Sequence, residues 1–174
     1  MTLSTLLQDK SINTKEKTAT IAKWLLEGSL PVDEYLTLTP GLRRETDRAT
    51  CIEAMEFASR QRPSIADEEV LAYVSQTLTE KAPRIKWESA KVIGNIAHLF
   101  PDQLDKAVAH LLVNAVHEGT VVRWSAAFAL GEILKCKTAL NTRLIPSVET
   151  LCAKEEKNSI KKIYLAGLKK CGKT

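Results

Sequence analysis

The sequence predicts an all-α fold, an α-α superhelix of about four stacked helical hairpins with an N-terminal helical cap. Three observations carry that expectation. The 174 residues are dominated by Ala, Leu, Lys and Glu, with aromatics at 5%, seven Gly and six Pro, a composition that favours helices over the turn-rich β class. The stretch Ile85-Lys86-Trp87-Glu88-Ser89-Ala90-Lys91-Val92-Ile93-Gly94-Asn95-Ile96 recurs as Val122-Arg123-Trp124-Ser125-Ala126-Ala127-Phe128-Ala129-Leu130-Gly131-Glu132-Ile133, an offset of 37 residues. Between successive copies lies one further amphipathic stretch, which makes each unit a hairpin.

Residues 1–42 are expected to form the cap: a helix over 14–27, a break at Gly28-Ser29, and a short helix over 31–38 ended by Pro40-Gly41. Repeats with a period of about 37–38 residues then fill 43–174, within a single domain spanning 1–174. Weaker copies of the repeated segment occur at Asp47 to Met55 and at Ile160 to Leu168. The basic residue of each copy falls at Arg48, Lys86, Arg123 and Lys161, spaced 38, 37 and 38 apart. Such near-equal intervals are the mark of a repeat array.

The intervening helices follow from their apolar spacing. Ser64 is placed as an N-cap before Asp67, Glu68 and Glu69, acidic residues that the positive end of a helix dipole favours. Val70, Leu71, Val74 and Leu78 then recur at three and four. Pro101-Asp102-Gln103 opens the next helix, with Leu104, Val108, Leu111, Leu112 and Ala115 as its stripe. Asn141 caps a third through Leu144, Ile145, Val148 and Leu151, with Pro146 in an early turn or at a kink. Each unit is thus an outer helix, a turn and an inner helix. Neither can bury its stripe alone, so units stack.

Val122-Arg123-x-x-Ala126-Ala127-x-Ala129-Leu130-Gly131 resembles the second helix of a HEAT repeat, including the PBS-lyase-like variants. The resemblance covers about residues 43–174, strongest in the two middle units. It implies a non-enzymatic protein-interaction scaffold. It also implies that the recurrent basic residue is a structural ladder, pairing with an acidic residue at the turn of its own or the adjacent unit. Glu80, Glu118 and Glu156 stand five or six positions before Lys86, Arg123 and Lys161. Gly94 and Gly131 are expected where inner helices approach closely.

In the HEAT pattern, the residue after the basic one and the residue four further on point outward from the inner helix, toward the concave face. These are Trp87 and Lys91, Trp124 and Phe128, Lys162 and Ala166, and Ala49 and Glu53. Spacing of i,i+4 puts each pair on one helical face. Two readings of the rings stand side by side: they seal the seam between neighbouring helices, or they are anchors for a partner, where Trp is enriched. On the second reading Trp87, Trp124 and Phe128 are the anchors, and Lys91, Arg84 and Lys162 the rim.

Net charge is +4, unevenly spread. The four inner-helix segments (43–62, 83–98, 120–137 and 158–174) hold 16 basic and 6 acidic residues, against 9 and 15 elsewhere. Lys161, Lys162, Lys169, Lys170 and Lys173 close the chain with no acidic residue among them. A nucleic acid is therefore the alternative ligand of the same strip, phosphates meeting the lysines and bases stacking on the tryptophans. A third reading, similarity to the HEAT-like bacterial alkylpurine DNA glycosylases, implies a catalytic Asp near the tryptophans. Lys91 and Phe128 stand four residues after Trp87 and Trp124 instead.

The remaining chemistry is sparse. Cys51, Cys136, Cys152 and Cys171 form no CxxC pair, and His98, His110 and His117 show no ligand or triad spacing, so neither a metal nor a cofactor is expected. No phosphate-binding glycine loop occurs. The first residues lack a signal-peptide pattern and no stretch approaches the roughly 18 apolar residues of a membrane span. A cytoplasmic protein with reduced thiols is the expectation.

Overall fold

The computed structural model describes residues 1–172; Lys173 of the terminal lysine run lies outside them. Ten α-helices order the described residues: α1 (Leu3–Gln8), α2 (Thr14–Glu27), α3 (Val32–Leu38), α4 (Glu45–Gln61), α5 (Glu68–Thr77), α6 (Pro83–Ile96), α7 (Asp105–Asn114), α8 (Thr120–Lys135), α9 (Asn141–Lys154) and α10 (Asn158–Lys170). They build an α-α superhelix in two layers. The inner layer runs α2, α4, α6, α8, α10, each packed on the next; α5, α7 and α9 lie outside, each against the inner helix that follows it.

Local sequence explains most boundaries. Asn13 and Glu16 close a capping box at the start of α2, and Gly28, at φ 78°, ends the helix in the left-handed region that glycine adopts without strain. The Pro63 turn displaces the start of α5: residues 63–65 form a 3-10 turn, and the N-cap is Asp67, whose side chain accepts the Val70 N–H, rather than Ser64. Helix α7 starts at Asp105, beyond the Pro101 turn, and α9 runs through Pro146 without ending. Asn141 is the first residue of α9 rather than its cap, and its side-chain amide donates to the Leu134 carbonyl.

Two elements depart from the expected cap. Helix α1, held by a Thr2–Thr5 capping box, buries Leu3, Leu6 and Leu7. Helix α2 packs on α4 as α4 packs on α6, so the inner layer begins in the cap. The core is one continuous cluster from Leu3 to Leu168, as stacking of units that cannot close alone requires.

Glycines set the close approaches. A Cβ on Gly94 would come within 2.4 Å of the Phe128 ring, and one on Gly167 within 2.9 Å of the Gly131 Cα. Helices α6 and α8 therefore meet through a ring seated on a glycine, and α8 and α10 through facing glycines.

The candidate inner-face site

Three residues of the basic column, Arg48, Lys86 and Arg123, tie units together, with partners other than those nearest in sequence; among the described residues no side chain pairs with Lys161. Arg48 donates to the Leu42 carbonyl of its own turn at 2.8 Å and lies 3.5 Å from Glu80 of the next unit. Lys86 donates to the Leu78 carbonyl at 3.1 Å and to Asn114 Oδ1 at 3.3 Å. Arg123 donates to the His117 and Glu118 carbonyls, each at 3.1 Å, and its Nε lies 3.0 Å from Glu155 Oε2. Each cation thus ties its own turn to the turn of the unit that follows. Glu118 contributes its carbonyl rather than its carboxylate, and Glu155 takes the place expected of Glu156. The reason is local: Glu155 Oε1 also accepts the Glu156 and Lys157 N–H groups at 3.0 Å, which turns its carboxylate back toward α8. Burial pushes the Glu155 carboxyl up, but the Arg123 hydrogen bond and those N–H groups outweigh it and hold it below the usual carboxylate range.

On α8 the buried residues Val122, Ala126, Ala129 and Ile133 face the outer helices. Trp124 lies about half a turn away on the helical period, on the open face of the inner layer. It is 38% exposed. Its ring stacks on Phe128 with centroids 5.9 Å apart and planes 11° from parallel. Phe128 itself is half-buried because it covers Gly94. The two readings of the rings therefore divide between them: Phe128 seals the α6–α8 seam and Trp124 presents its ring outside.

Trp87 is half-buried, and its indole N–H donates to Glu88 Oε1 at 2.8 Å. Lys91 Nζ lies 2.9 Å from Glu88 Oε2. Burial raises the Glu88 carboxyl above its ordinary value, only partly offset by Lys91 and by the Trp87 hydrogen bond. Arg84 is paired with Glu53 of α4 and donates weakly to the Thr50 hydroxyl at 3.4 Å. Glu53 also accepts from the Thr18 hydroxyl of α2 at 3.1 Å, so one carboxylate joins three successive inner helices. Lys162 is exposed on α10.

Glu53 stands at an expected inner-face position and Glu88 beside Trp87; the packing of α6 on α4 brings Arg84 to Glu53, whereas Lys91 meets Glu88 three residues away on the same helix. Arg60 stands 5.0 Å over the Phe57 ring on α4, and Asn95 on α6 donates to the Glu56 carbonyl and to Ser59 of α4. With Lys135 also paired to Glu132 at 2.8 Å, carboxylates offset Arg84, Lys91, Arg123 and Lys135 of α6 and α8, while Lys86 meets only neutral acceptors. Among the described residues no carboxylate pairs with the lysines of α10.

Chemistry elsewhere is limited. Burial pushes the Cys51 thiol up to about 12, the opposite of an activated nucleophile. Among the described residues no cluster of three or more His, Cys, Asp or Glu could hold a metal ion, and no helix is long and apolar enough to cross a membrane.

No protein-family model matches the sequence, and no curated protein does. Solved structures do match in fold. A designed armadillo repeat protein, solved in complex with the peptide (KR)4, superposes at a TM-score of 0.75 with 17% identity, over 98% of this chain and 80% of its own. An engineered protein gives 0.70 with 15% identity, over 97% of this chain and 77% of its own; a second gives 0.69 with 15%, over 97% and 46%. At such identities the likeness concerns the fold, and it establishes this chain as a helical-repeat solenoid.

Proposed function

We propose that this chain is a HEAT-like, non-enzymatic scaffold that binds a protein segment along the open face of its inner helices. The observation that carries the reading is Trp124: a large ring left 38% exposed, held rigid by its stack on Phe128, on a helix whose neighbours are fixed by paired charges. A preordered aromatic loses little entropy when a partner covers it. Val121, 52% exposed, extends the apolar spot along α8. Arg84–Glu53 and Lys91–Glu88 supply a mixed polar rim, suited to a polypeptide with both charge signs rather than to a uniform row of phosphates. The armadillo neighbour solved with a peptide supports a peptide ligand for a solenoid of this shape.

The test is affinity capture with wild type and Trp124→Ala, scoring co-purifying protein and nucleic acid separately. Loss of one protein partner in a Trp124→Ala variant of unchanged helicity is expected. Retention of that partner by a folded Trp87/Trp124 double-alanine variant removes the proposal. Capture of nucleic acid that falls steeply with salt, about one logarithmic unit per phosphate contact, replaces it with the nucleic-acid alternative.

A further inference from the structure

Every inner helix from α4 to α8 offers a flank of the same design to the helix that follows. A basic residue opens the flank, and the residue four positions on lies beneath the next unit. The pairs are Arg48 with Ile52, Lys86 with Ala90 and Arg123 with Ala127. Ile52, Ala90 and Ala127 are 0%, 1% and 0% exposed. Each basic side chain receives an acceptor from the turn of the following unit, in order Glu80, Asn114 and Glu155.

Helix α10 repeats the design. Its Gly167 faces Gly131, and Ile163 lies beside the same glycine of α8; Ile160 and Tyr164 are buried. Lys161 and Leu165 fall on the opposite flank by the helical period. There the pattern stops: Leu165 is 56% exposed, and among the described residues no side chain pairs with the Lys161 ammonium. The helix carries Lys161, Lys162, Lys169 and Lys170 and no acidic residue. No other inner helix combines an uncovered apolar flank with unopposed charge.

We propose that this flank of α10 docks a separate polypeptide presenting a helix with an apolar stripe and a carboxylate at its N-terminal turn. The carboxylate stands to Lys161 as Glu155 stands to Arg123, and the stripe covers Leu165 as α10 covers Ala127. Charge complementarity selects an acidic partner: four lysines that meet no carboxylate among the described residues attract it and repel a basic one. The surface adjoins the Trp124 strip at Lys162, but its contacts at Lys161 and Leu165 lie outside that strip, and the variants below test them apart from it.

The test is calorimetric titration of the full chain with a synthetic end-capped helical peptide carrying a Leu/Ala stripe and two Glu in its first turn. The control peptide has Gln at those two positions. The Glu peptide is expected to bind, Lys161→Ala to weaken it about tenfold, and Leu165→Asp to abolish it. Lys15→Ala on α2, at the other end of the layer, leaves binding unchanged. Both α10 side chains are largely outside the core, so circular dichroism of the variants should match wild type. Equal binding of the Glu and Gln peptides, or undiminished binding by Leu165→Asp, overturns the proposal. So does concentration-dependent self-association of wild type in sedimentation that Leu165→Asp removes, because the occupant is then a second copy of this chain.

Discussion

Gly167 of α10 faces Gly131 of α8 so closely that a Cβ on Gly167 would stand 2.9 Å from the Gly131 Cα, while a Cβ on Gly131 would find its nearest neighbour, the Ile163 carbonyl oxygen, at 3.6 Å. Two glycines in one contact are therefore unequal. Gly167→Ala must push backbone against backbone, and a loss of about 1–3 kcal/mol is expected from overpacking. Gly131→Ala fits, and the helical preference of Ala over Gly should stabilise the protein by about 0.5–1 kcal/mol. Urea denaturation of the two variants checks the asymmetry; equal destabilisation would contradict it.

The Arg123–Glu155 pair is nearly dry, with side-chain exposures of 18% and 6%. Removing the cation leaves a carboxylate buried against its own turn, so Arg123→Ala should cost about 3 kcal/mol. Lys86→Ala, which strands the neutral acceptors Leu78 O and Asn114 Oδ1, should cost about 1–2 kcal/mol. Chemical denaturation midpoints at neutral pH order the two.

Acid should weaken the same joint. The Glu155 carboxyl is held below its ordinary value, so the folded state binds fewer protons than the unfolded one. Its contribution is fully present above the unfolded value, about 4.3, and fades as pH falls through the folded value. Glu155→Gln should be less stable than wild type at pH 7, with the difference shrinking toward pH 3. Thermal melts across that range measure it.

Glu88 gives the opposite sign. Its carboxyl is raised by burial, so the folded state holds the proton longer, and stability falls as pH rises from about 4.3 to the higher folded value. Glu88→Gln keeps an acceptor for the Trp87 N–H and should flatten that part of the profile. Carboxyl chemical shifts of Glu88 through a pH titration report the raised value directly.

The two tryptophans should separate by stability. Trp124→Ala removes a ring already 38% exposed, with an expected cost near 1 kcal/mol or below. Trp87→Ala opens a half-buried site and frees Glu88 of a donor, with an expected cost of about 2–3 kcal/mol. Equal melting temperatures would contradict this division of the strip.

The repeat itself was legible because it rests on local chemistry. The basic residue, the small residues after it and the intervening amphipathic stretches recur at a period that no tertiary contact is needed to see. The expected helix over 14–27 coincides with α2 because its signals, Asn13, Glu16 and Gly28, act within one turn of themselves. Helix α1 was not legible: six residues with three buried leucines are too short to show a period. Ser64 was the wrong cap because Pro63 starts a 3-10 turn, leaving Asp67 as the first side chain that reaches a free helical N–H.

The sequence by itself determined the class, the stacked hairpins and the inner helices on which Trp87, Trp124 and Phe128 lie, because propensity, apolar period and self-similarity are properties of the chain. The tertiary structure decided which groups meet. It gave Arg123 to Glu155 and not to Glu156, and Arg84 to Glu53, and so offset part of a strip that is basic by count with carboxylates from neighbouring units. It also placed Phe128 over Gly94 and left Trp124 and Leu165 uncovered. Pairing and exposure depend on the approach of helices some 30 residues apart, a distance set by the volume between them, which no local pattern encodes.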